Sequence, residues 1–381
     1  MKVLRLSRFW LSPFFLLILV SLSASQAEAQ RARNVILFLG DAGGLPTLNA
    51  GGLYATSKPL GLYLHTMPYV GLSETSALNA WVTDSANGMT ALVTGQKTNN
   101  AMLSILPGKP GAPGARLKTI LEYAEERGLS TGVITNMPIF DATPAACFSH
   151  VEKRSDFANV IAQLFTPRYG DGPDIVIGKG RAEFESILSA KAGAKGEGIA
   201  ARFAQAKYRF LNTPGELKPD MKRAASVIEG NDFEPIPVVT AAIKSLARNK
   251  KGYFLMVEWD MHADVLSKGL RHVKEMDDMI REVAKVVGPD TLILFTADHS
   301  YGLRLRGGAK TSPYADQLAA NGFAQNDTPE NHLITVEDTH TGEEVIVAGK
   351  GPGAEQVHGF MPNTHIFEIM MKAYGWKIEK R

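Results

Sequence analysis

Short, nearly continuous apolar runs recur along the chain, and each is flanked by Gly, Asp or Asn. Runs this rich in Val, Ile, Leu and Phe are typical of strands buried on both faces, as in a parallel sheet. A further candidate strand is MPYVGLSET at 67–75. The runs are NVILFLGD (34–41), TGVITN (131–136), DIVIGKG (174–180), YFLMVE (253–258), TLILFTADHS (291–300) and EEVIVAGKG (343–351).

Segments with helical spacing of apolar residues separate these runs. Strands that alternate with helices predict an α/β fold, namely a three-layer sandwich with a mainly parallel central sheet and helices on both faces. Residues 181–249 are polar and helical in pattern without a clear strand, which predicts a helical insertion within one domain at 30–381. The predicted helices are LKTILEYAEERG (117–128), SDFANVIAQLF (155–165, with Ser155 as candidate N-cap), VLSKGLRHVKEMDDMIREVAKVVG (265–288) and HIFEIMMKAYG (365–375).

The first 29 residues have the pattern of a secretory signal peptide. Lys2, Arg5 and Arg8 precede the apolar run 9–22, and AEA at 27–29 is typical of a cleavage site. An uncleaved anchor is the alternative, although the run is short for a membrane span. We therefore expect a secreted or periplasmic protein. No later run of the sequence is long and apolar enough to span a membrane.

Charge and cysteine content limit the functional classes. The chain has 41 Lys and Arg against 39 Asp and Glu, and residues 1–29 carry the whole excess, so the remaining chain has a net charge near zero. Nothing therefore favours binding of nucleic acid. Cys147 is the only cysteine, so no internal disulfide can form and stability must come from the core.

Residues able to bind metal follow three of the predicted strands. Asp41 ends the first run, Glu258 follows FLMV, and Asp298 and His299 follow LILFTA. Ligand sites in parallel sheets gather at the carboxyl ends of strands. The stretch VEWDMHADVL (257–266) adds further acidic residues and a histidine, so the sequence predicts a metal site there, although a solvated helix start is the alternative.

A serine at a predicted helix start is the candidate nucleophile. Ser85 opens the helical segment of VTDSANGMTALVTG (82–95), where free N–H groups and the helix dipole stabilise an anion. A simple N-cap is the alternative. No GxSxG motif surrounds the serine, which disfavours an α/β-hydrolase.

Taken in order, seven stretches resemble the alkaline phosphatase family across nearly the whole chain. The resemblance implies hydrolysis of small phosphate monoesters through a phosphoserine intermediate, with two Zn²⁺ ions and one Mg²⁺ ion as cofactors and a homodimer as a frequent assembly. The stretches are NVILFLGDAGG, VTDSANGMTALVTGQKTNN, DATPAACFSHVEKR, YFLMVE, TADHS, HTGEEV and GPGAEQVHG.

The resemblance also implies roles for the residues that contact the substrate and the magnesium. Ser85 is similar to the nucleophile that becomes phosphorylated and also contacts metal. Arg154 is similar to the guanidinium that grips the phosphate, a task for which Lys is less suited. Thr143 is similar to a magnesium ligand, with Asp141 beside it and near the substrate.

For the zinc ions, the resemblance implies ligands from separate strands. Asp41 is similar to the carboxylate that bridges one zinc and the magnesium. Asp298 and His299 are similar to ligands of the zinc that activates Ser85. His340 is similar to a ligand of the other zinc.

The stretch 257–266 departs from the family pattern, because Ala263 stands where the zinc Asp is expected and the segment is shorter. In one register Glu258 and His262 bind zinc from one helix face, and the magnesium site is weakened unless Asp260 reaches it. In the other, Glu258 stays with magnesium while Asp260 and Asp264 take the zinc positions. The first is favoured, because zinc sites commonly contain His.

Three other functions have to be weighed against that of a phosphomonoesterase. A phosphodiesterase or pyrophosphatase of the same superfamily shares the metal ligands, but such enzymes often use Thr where this chain has Ser85. A sulfatase needs a C/S-x-P-x-R site, which is missing, since FSHV follows Cys147. A catalytically degraded, secreted metal- or phosphate-binding protein is the third.

Overall fold

A computed structural model describes residues 31–192, 198–321 and 332–379, so the predicted signal peptide lies outside the described residues. Among the described helices, none combines the length and the apolar character that a bilayer crossing requires. The strands are β1 (Asn34–Asp41), β2 (Tyr69–Ser73), β3 (Ile105–Leu106), β4 (Ala115–Arg116), β5 (Ser130–Pro138), β6 (Ile175–Lys179), β7 (Arg209–Phe210), β8 (Ala224–Ile228), β9 (Tyr253–Asp260), β10 (Thr291–Thr296), β11 (Ser300–Leu305), β12 (Ile334–Thr341), β13 (Val345–Lys350) and β14 (Gly359–Met361).

Helices connect most of these strands. Short 3₁₀ turns add to them at Tyr63–Thr66, Pro214–Glu216 and Ala354–Gln356. The α-helices are α1 (Leu45–Thr56), α2 (Ser85–Thr94), α3 (Ile120–Glu126), α4 (Ala142–Ala145), α5 (Phe157–Leu164), α6 (Arg181–Ala192), α7 (Ile199–Gln205), α8 (Pro235–Leu246), α9 (Leu266–Val286), α10 (Tyr314–Ala320) and α11 (His365–Ala373).

Ten strands form the central sheet, in the order β14-β2-β13-β10-β1-β9-β5-β6-β8-β7. The strands from β10 to β7 pair in parallel, whereas β13 is antiparallel to both β10 and β2. The mainly parallel sheet expected from the apolar runs is therefore confirmed. The run 67–75 does contain a strand, β2.

Helices cover both faces of this sheet, which confirms the three-layer sandwich. Successive residues of β1 point to opposite sides: Val35, Leu37 and Leu39 pack with α2, α3 and α11, whereas Ile36 and Phe38 pack with α1, α8 and α9. All five of these side chains are fully buried. Burial of each side chain of this size stabilises the fold by about 1.5–3 kcal/mol.

The segment 181–249 differs from the sequence expectation. It contributes α6, α7 and α8, but also β7 and β8, and both strands join the central sheet. β8 pairs in parallel with β6 along its whole length. The expected absence of strands is therefore corrected. β8 escaped notice because AASVI contains only two large aliphatic residues and the strand is short.

Two helix starts refine the sequence analysis. α3 begins after Thr119, whose hydroxyl accepts a hydrogen bond from the backbone N–H of Glu122 while the Glu122 carboxylate accepts one from the Thr119 N–H. The N-cap of α5 is Asp156 instead of the expected Ser155. Both caps satisfy N–H groups that the first turn of a helix leaves free.

The register of the parallel strands brings their carboxyl ends together. Asp41 of β1 is level with Asp260 of β9, and Thr135 of β5 is level with Glu258 of β9. Since the carboxyl ends of parallel strands meet at one edge of a sheet, these side chains converge there.

Candidate metal centre and active site

One cluster of potential metal ligands contains Asp41, Asp298 and His299, all fully buried. One donor atom from each lies within 4.8 Å of the others. Asp41 Oδ1 and Asp298 Oδ2 accept no hydrogen bond. Burial raises the pKa of both carboxyl groups to about 6, and the charge of Asp298 adds to the rise for Asp41. Two buried carboxylates with free oxygens are a suitable pair for a cation.

A second cluster contains His262, His299 and His340. His262 Nε2 lies 3.4 Å from His340 Nε2, and the rings of His299 and His340 stack with centroids 3.7 Å apart. The cluster is adjacent to the first, because the two share His299. Burial lowers the pKa of His299 and of His340, which favours the neutral imidazoles that bind metals.

The Nδ1 atoms of these three histidines point at oxygen acceptors. His340 Nδ1 lies 3.2 Å from the Thr83 carbonyl and His299 Nδ1 lies 3.0 Å from the Ser300 carbonyl. His262 Nδ1 lies 2.8 Å from Asp260 Oδ1. Because carbonyl and carboxylate oxygens can only accept, each Nδ1 donates. In the neutral rings the lone pair then lies on Nε2, which is the nitrogen that faces the cluster.

The segment 257–264 does not match either proposed register in full. β9 extends through Asp260, so Glu258 and His262 do not share a helix face as the first register required. The strand persists because its backbone pairs with β1 as far as Asp41. His262 nevertheless lies with His340, as the first register expected. Asp264 is exposed and belongs to neither cluster, against the second register.

Glu258 belongs to neither cluster and lies beside the hydroxyl groups of Thr135 and of Thr143, the residue expected to bind magnesium. The Thr135 hydroxyl donates to Glu258 Oε2 over 2.5 Å. The Thr143 hydroxyl is also near this carboxyl group and lowers its pKa. Burial and then the charge of Asp41 raise the pKa of Glu258 well above its usual value. Thr143 Oγ1 is buried and has no hydrogen bond of standard geometry.

Both oxygens of Asp260 are already engaged by cationic partners. Oδ1 accepts from the backbone N–H and Nδ1 of His262, and Oδ2 lies 2.8 Å from Lys268 Nζ. Burial by itself would raise the pKa of Asp260, but His262 and Lys268 hold it well below its usual range. In the same way, burial would lower the pKa of His262, but the Asp41 and Asp260 carboxylates raise it to about 10.

Ser85 is the first residue of α2, and it is buried beside the clusters. Its Oγ lies 3.3 Å from His299 Nε2. Since His299 Nδ1 donates elsewhere, Nε2 accepts and the serine hydroxyl donates. The N-cap alternative for Ser85 is not observed, because the side chain of Asp84 accepts from the N–H of Asn87 and fills that position.

Two carboxylates hold Arg154 close to the start of α2. Its Nη2 lies 2.7 Å from Asp141 Oδ1, and its Nη1 lies 3.6 Å from Asp84 Oδ2. Asp141 is also the N-cap of α4, the short helix that carries Thr143. The guanidinium is thus fixed next to the helix that begins with Ser85.

Sequence reasoning missed two residues of this site. Lys268 lies in the first turn of α9 and belongs to no motif, and Thr135 lies near the carboxyl end of β5. The position of Thr135 near a strand end was the only available signal. The contact of Lys268 with Asp260 depends on how α9 packs against the sheet.

Known proteins of similar sequence are alkaline phosphatases. The family model for alkaline phosphatase matches residues 32–226 and 211–335. Alkaline phosphatase of Escherichia coli is 27% identical, with 91% of this chain and 87% of that protein covered. The tissue-nonspecific isozyme of Felis catus is 26% identical, with 90% and 83% covered. Alkaline phosphatase 4 of Bacillus subtilis is 25% identical, with 92% and 90% covered.

Solved structures share the fold. Alkaline phosphatase of Thermus thermophilus superposes with a TM-score of 0.74 at 22% identity, over 93% of this chain and 95% of that one. The enzyme of the Antarctic bacterium TAB5 gives 0.73 at 22% identity, over 92% and 100%. The resemblance inferred from the motifs is confirmed: the chain belongs to the alkaline phosphatase family and is a phosphatase enzyme.

Proposed function

We propose that this chain hydrolyses phosphate monoesters by attack of Ser85 Oγ on phosphorus, through a phosphoserine intermediate, at a site for two zinc ions and one magnesium ion. The observation that carries the proposal is the position of Ser85. Its hydroxyl is buried at the N-terminus of α2 and lies 3.3 Å from His299, the residue that the two ligand clusters share. A nucleophile directly beside two sets of potential ligands suits metal-assisted phosphoryl transfer.

The donor atoms fit two zinc ions. Asp41, Asp298 and His299 would hold one, since two of their carboxylate oxygens are buried without a hydrogen bond. His262 and His340 would hold the other through Nε2. Imidazole and carboxylate ligands are those that zinc takes in catalytic sites.

The residues proposed to hold magnesium offer oxygen donors. Glu258 and Thr143 would supply ligands together with Asp41, whose carboxylate also belongs to the proposed zinc site. Thr143 Oγ1 is buried without a hydrogen bond, so a cation would satisfy it. Magnesium prefers such hard oxygen ligands.

Bound metals would supply Lewis-acid stabilisation of the charge on the attacking and departing oxygens. The chain itself supplies the orientation. Ser85 Oγ lies 3.3 Å from His299 Nε2, so a zinc ion held by His299 would also lie next to this oxygen and would favour its deprotonated form. The free N–H groups at the start of α2 and the helix dipole stabilise negative charge at this point.

Arg154 would bind the phosphate oxygens that are not transferred. Its guanidinium is held by Asp141 and Asp84, which fix its plane without saturating its five donors. A bidentate grip on the phosphoryl group would orient phosphorus towards Ser85. This positioning lowers the barrier because less orientational freedom has to be lost on the way to the transition state.

Asp260 is proposed as a positioning residue instead of a ligand. Its two oxygens are occupied by His262 and Lys268, and a carboxylate that accepts from Nδ1 orients a ligating histidine. Lys268 holds the carboxylate in place. This arrangement combines parts of both registers that the sequence left open.

The test compares p-nitrophenyl phosphate with bis(p-nitrophenyl) phosphate on the purified protein, with and without EDTA. We expect a strong preference for the monoester, loss of the activity with EDTA, and recovery after addition of zinc and magnesium. Preference for the diester would support the phosphodiesterase alternative. The absence of turnover with either substrate in the metal-loaded protein would support a binding protein.

A further inference from the structure

The loop at 77–84 presents an unusually exposed tryptophan next to the proposed active site. Trp81 is 89% exposed, and its neighbours Leu78 and Val82 are 55% and 39% exposed. Tryptophan is usually well buried, and an exposed apolar group beside polar surroundings often marks a binding surface.

This exposure is not the result of a loose loop, because hydrogen bonds fix its backbone. Ala77 N–H donates to the Ala80 carbonyl and Leu78 N–H to the Thr98 carbonyl, each over 2.9 Å. The side chain of Asn100 donates to the Val82 carbonyl and accepts from the Asp84 N–H. The loop is thus a fixed support for an indole that faces solvent.

The loop is attached directly to the histidine cluster. His340 Nδ1 donates to the carbonyl of Thr83, two residues after Trp81. A Cβ placed on Gly342 would lie 3.2 Å from the Trp81 carbonyl oxygen, so the two chain segments touch. Two residues after Thr83, the same segment reaches Ser85.

Burial shows on which side of the site a substrate must project. Asp41, Asp298 and His299 are buried, whereas His262 and His340 are only partly buried and form the open side. In an in-line displacement the leaving group departs on the side opposite the nucleophile. Because the site opens at His262 and His340, the organic group of a bound monoester projects outwards there, and His340 contacts the loop of Trp81 through the Thr83 carbonyl.

We propose that Trp81 is a specificity residue that contacts the leaving group, so that the enzyme favours phosphate monoesters with an aromatic leaving group. The indole offers a flat apolar face on which an aromatic ring can stack. Leu78 and Val82 expose further apolar surface on the same loop. The inference depends on the proposed function, since it concerns the same site and reaction.

The test measures kcat/KM for phenyl phosphate and for ethyl phosphate with the metal-loaded wild type and with Trp81→Ala and Trp81→Phe. We expect Trp81→Ala to lower kcat/KM for phenyl phosphate by roughly two- to tenfold, the range of an aromatic contact, and to change that for ethyl phosphate much less. Trp81→Phe retains an aromatic face and should preserve most of the difference. Inhibition by inorganic phosphate should not change, because phosphate lacks a leaving group.

Phe360→Ala is the matched control, since Phe360 is 78% exposed on the edge strand β14 and belongs to no part of the proposed site. It should leave the ratio of the two substrates unchanged. An equal loss for both substrates with Trp81→Ala, or no loss, would overturn the inference while the proposed function stands. The inference would also be overturned if light scattering showed a dimeric wild type and a monomeric Trp81→Ala variant while the ratio of kcat/KM for the two substrates stayed the same. The indole would then belong to an interface between copies. If the wild type hydrolyses neither monoester, the proposed function itself fails.

Discussion

Asp260 Oδ1 and His262 Nδ1 lie 2.8 Å apart at the end of β9, and this bond directs His262 Nε2 towards His340. The pair explains why the shortened segment retains a histidine in the cluster although it lacks the family's spacing. A carboxylate commonly accepts a hydrogen bond from the ring of a metal-binding histidine, and this bond fixes the orientation of the ring.

Asp260→Ala should therefore weaken zinc binding by about ten- to a hundredfold, because His262 loses the acceptor that orients it. Asp260→Asn should weaken it much less, since the amide oxygen can still accept from Nδ1. Zinc content after dialysis against a graded chelator series gives the measurement. Asp264→Ala, an exposed carboxylate four residues away, is the control. Equal losses in the Ala and Asn variants would indicate that Asp260 is itself a ligand.

Ser85→Ala should lower kcat by at least about a thousandfold, because the nucleophile of the covalent step is removed. Binding of inorganic phosphate should persist, since Arg154 and the helix N-terminus remain. Mass spectrometry of the acid-quenched reaction should show one added phosphoryl group on the wild type and none on the variant. Ser189→Ala, on the exposed side of α6, should behave as the wild type. Retention of most of the rate by Ser85→Ala would contradict the assigned role.

Arg154→Lys should raise the inhibition constant of inorganic phosphate by roughly tenfold, because an ammonium group cannot make the bidentate contact of a guanidinium. The variant also loses the fork that Asp141 and Asp84 hold. Competitive inhibition of p-nitrophenyl phosphate hydrolysis provides the measurement. Arg281→Lys, a partly exposed arginine on α9, should change nothing. An unaltered inhibition constant in Arg154→Lys would place the phosphate elsewhere.

Gly88→Ala should impair the site from the helix that carries Ser85. A Cβ at Gly88 would lie 2.8 Å from the Cβ of Asp298 and 2.9 Å from its carbonyl oxygen, so the Asp298 backbone must move. Overpacking of this kind costs about 1–3 kcal/mol. We expect a lower Tm, less bound zinc and reduced kcat. Gly215→Ala has no atom within 4 Å of the new Cβ and serves as control; similar behaviour of the two variants would show that the close approach is unimportant.

Glu125→Gln should make the protein more stable at alkaline pH. Burial raises the pKa of Glu125 from 4.5 to about 8, despite hydrogen bonds from Thr131 and Asp171. Below about pH 4.5 the carboxyl is protonated in both states. As the pH rises towards 8, the unfolded state gives up its proton first, so the wild type loses stability across this window.

The variant removes this dependence, and the gain at pH 9 is on the order of 2–4 kcal/mol. Chemical denaturation of both proteins at pH 5 and pH 9, each with saturating metal, provides the measurement. Glu126→Gln is the control, because the neighbouring Glu126 carboxylate is far more exposed and its pKa is lowered instead. A gain of the same size at pH 5 would show that titration of Glu125 is not the cause.

The sequence by itself determined the sheet and the residues at its carboxyl edge. The apolar runs of β1, β9 and β10 are buried on both faces, and such strands carry a strong local pattern. The carboxyl ends of these strands carry Asp41, Asp298 and His299. Their places could be predicted because the end of a strand fixes where the adjacent side chains lie. Their assembly into one cluster could be expected before the fold was known.

Only the tertiary structure decided the arrangement around 257–264. Local pattern allowed either a helix face or a strand, and pairing of β9 with β1 as far as Asp41 selected the strand. The contact of Asp260 with Lys268 and the exposure of Trp81 depend on how a helix and a loop pack against the sheet. Both depend on how elements that are distant in sequence pack together, so no spacing within the chain encodes them.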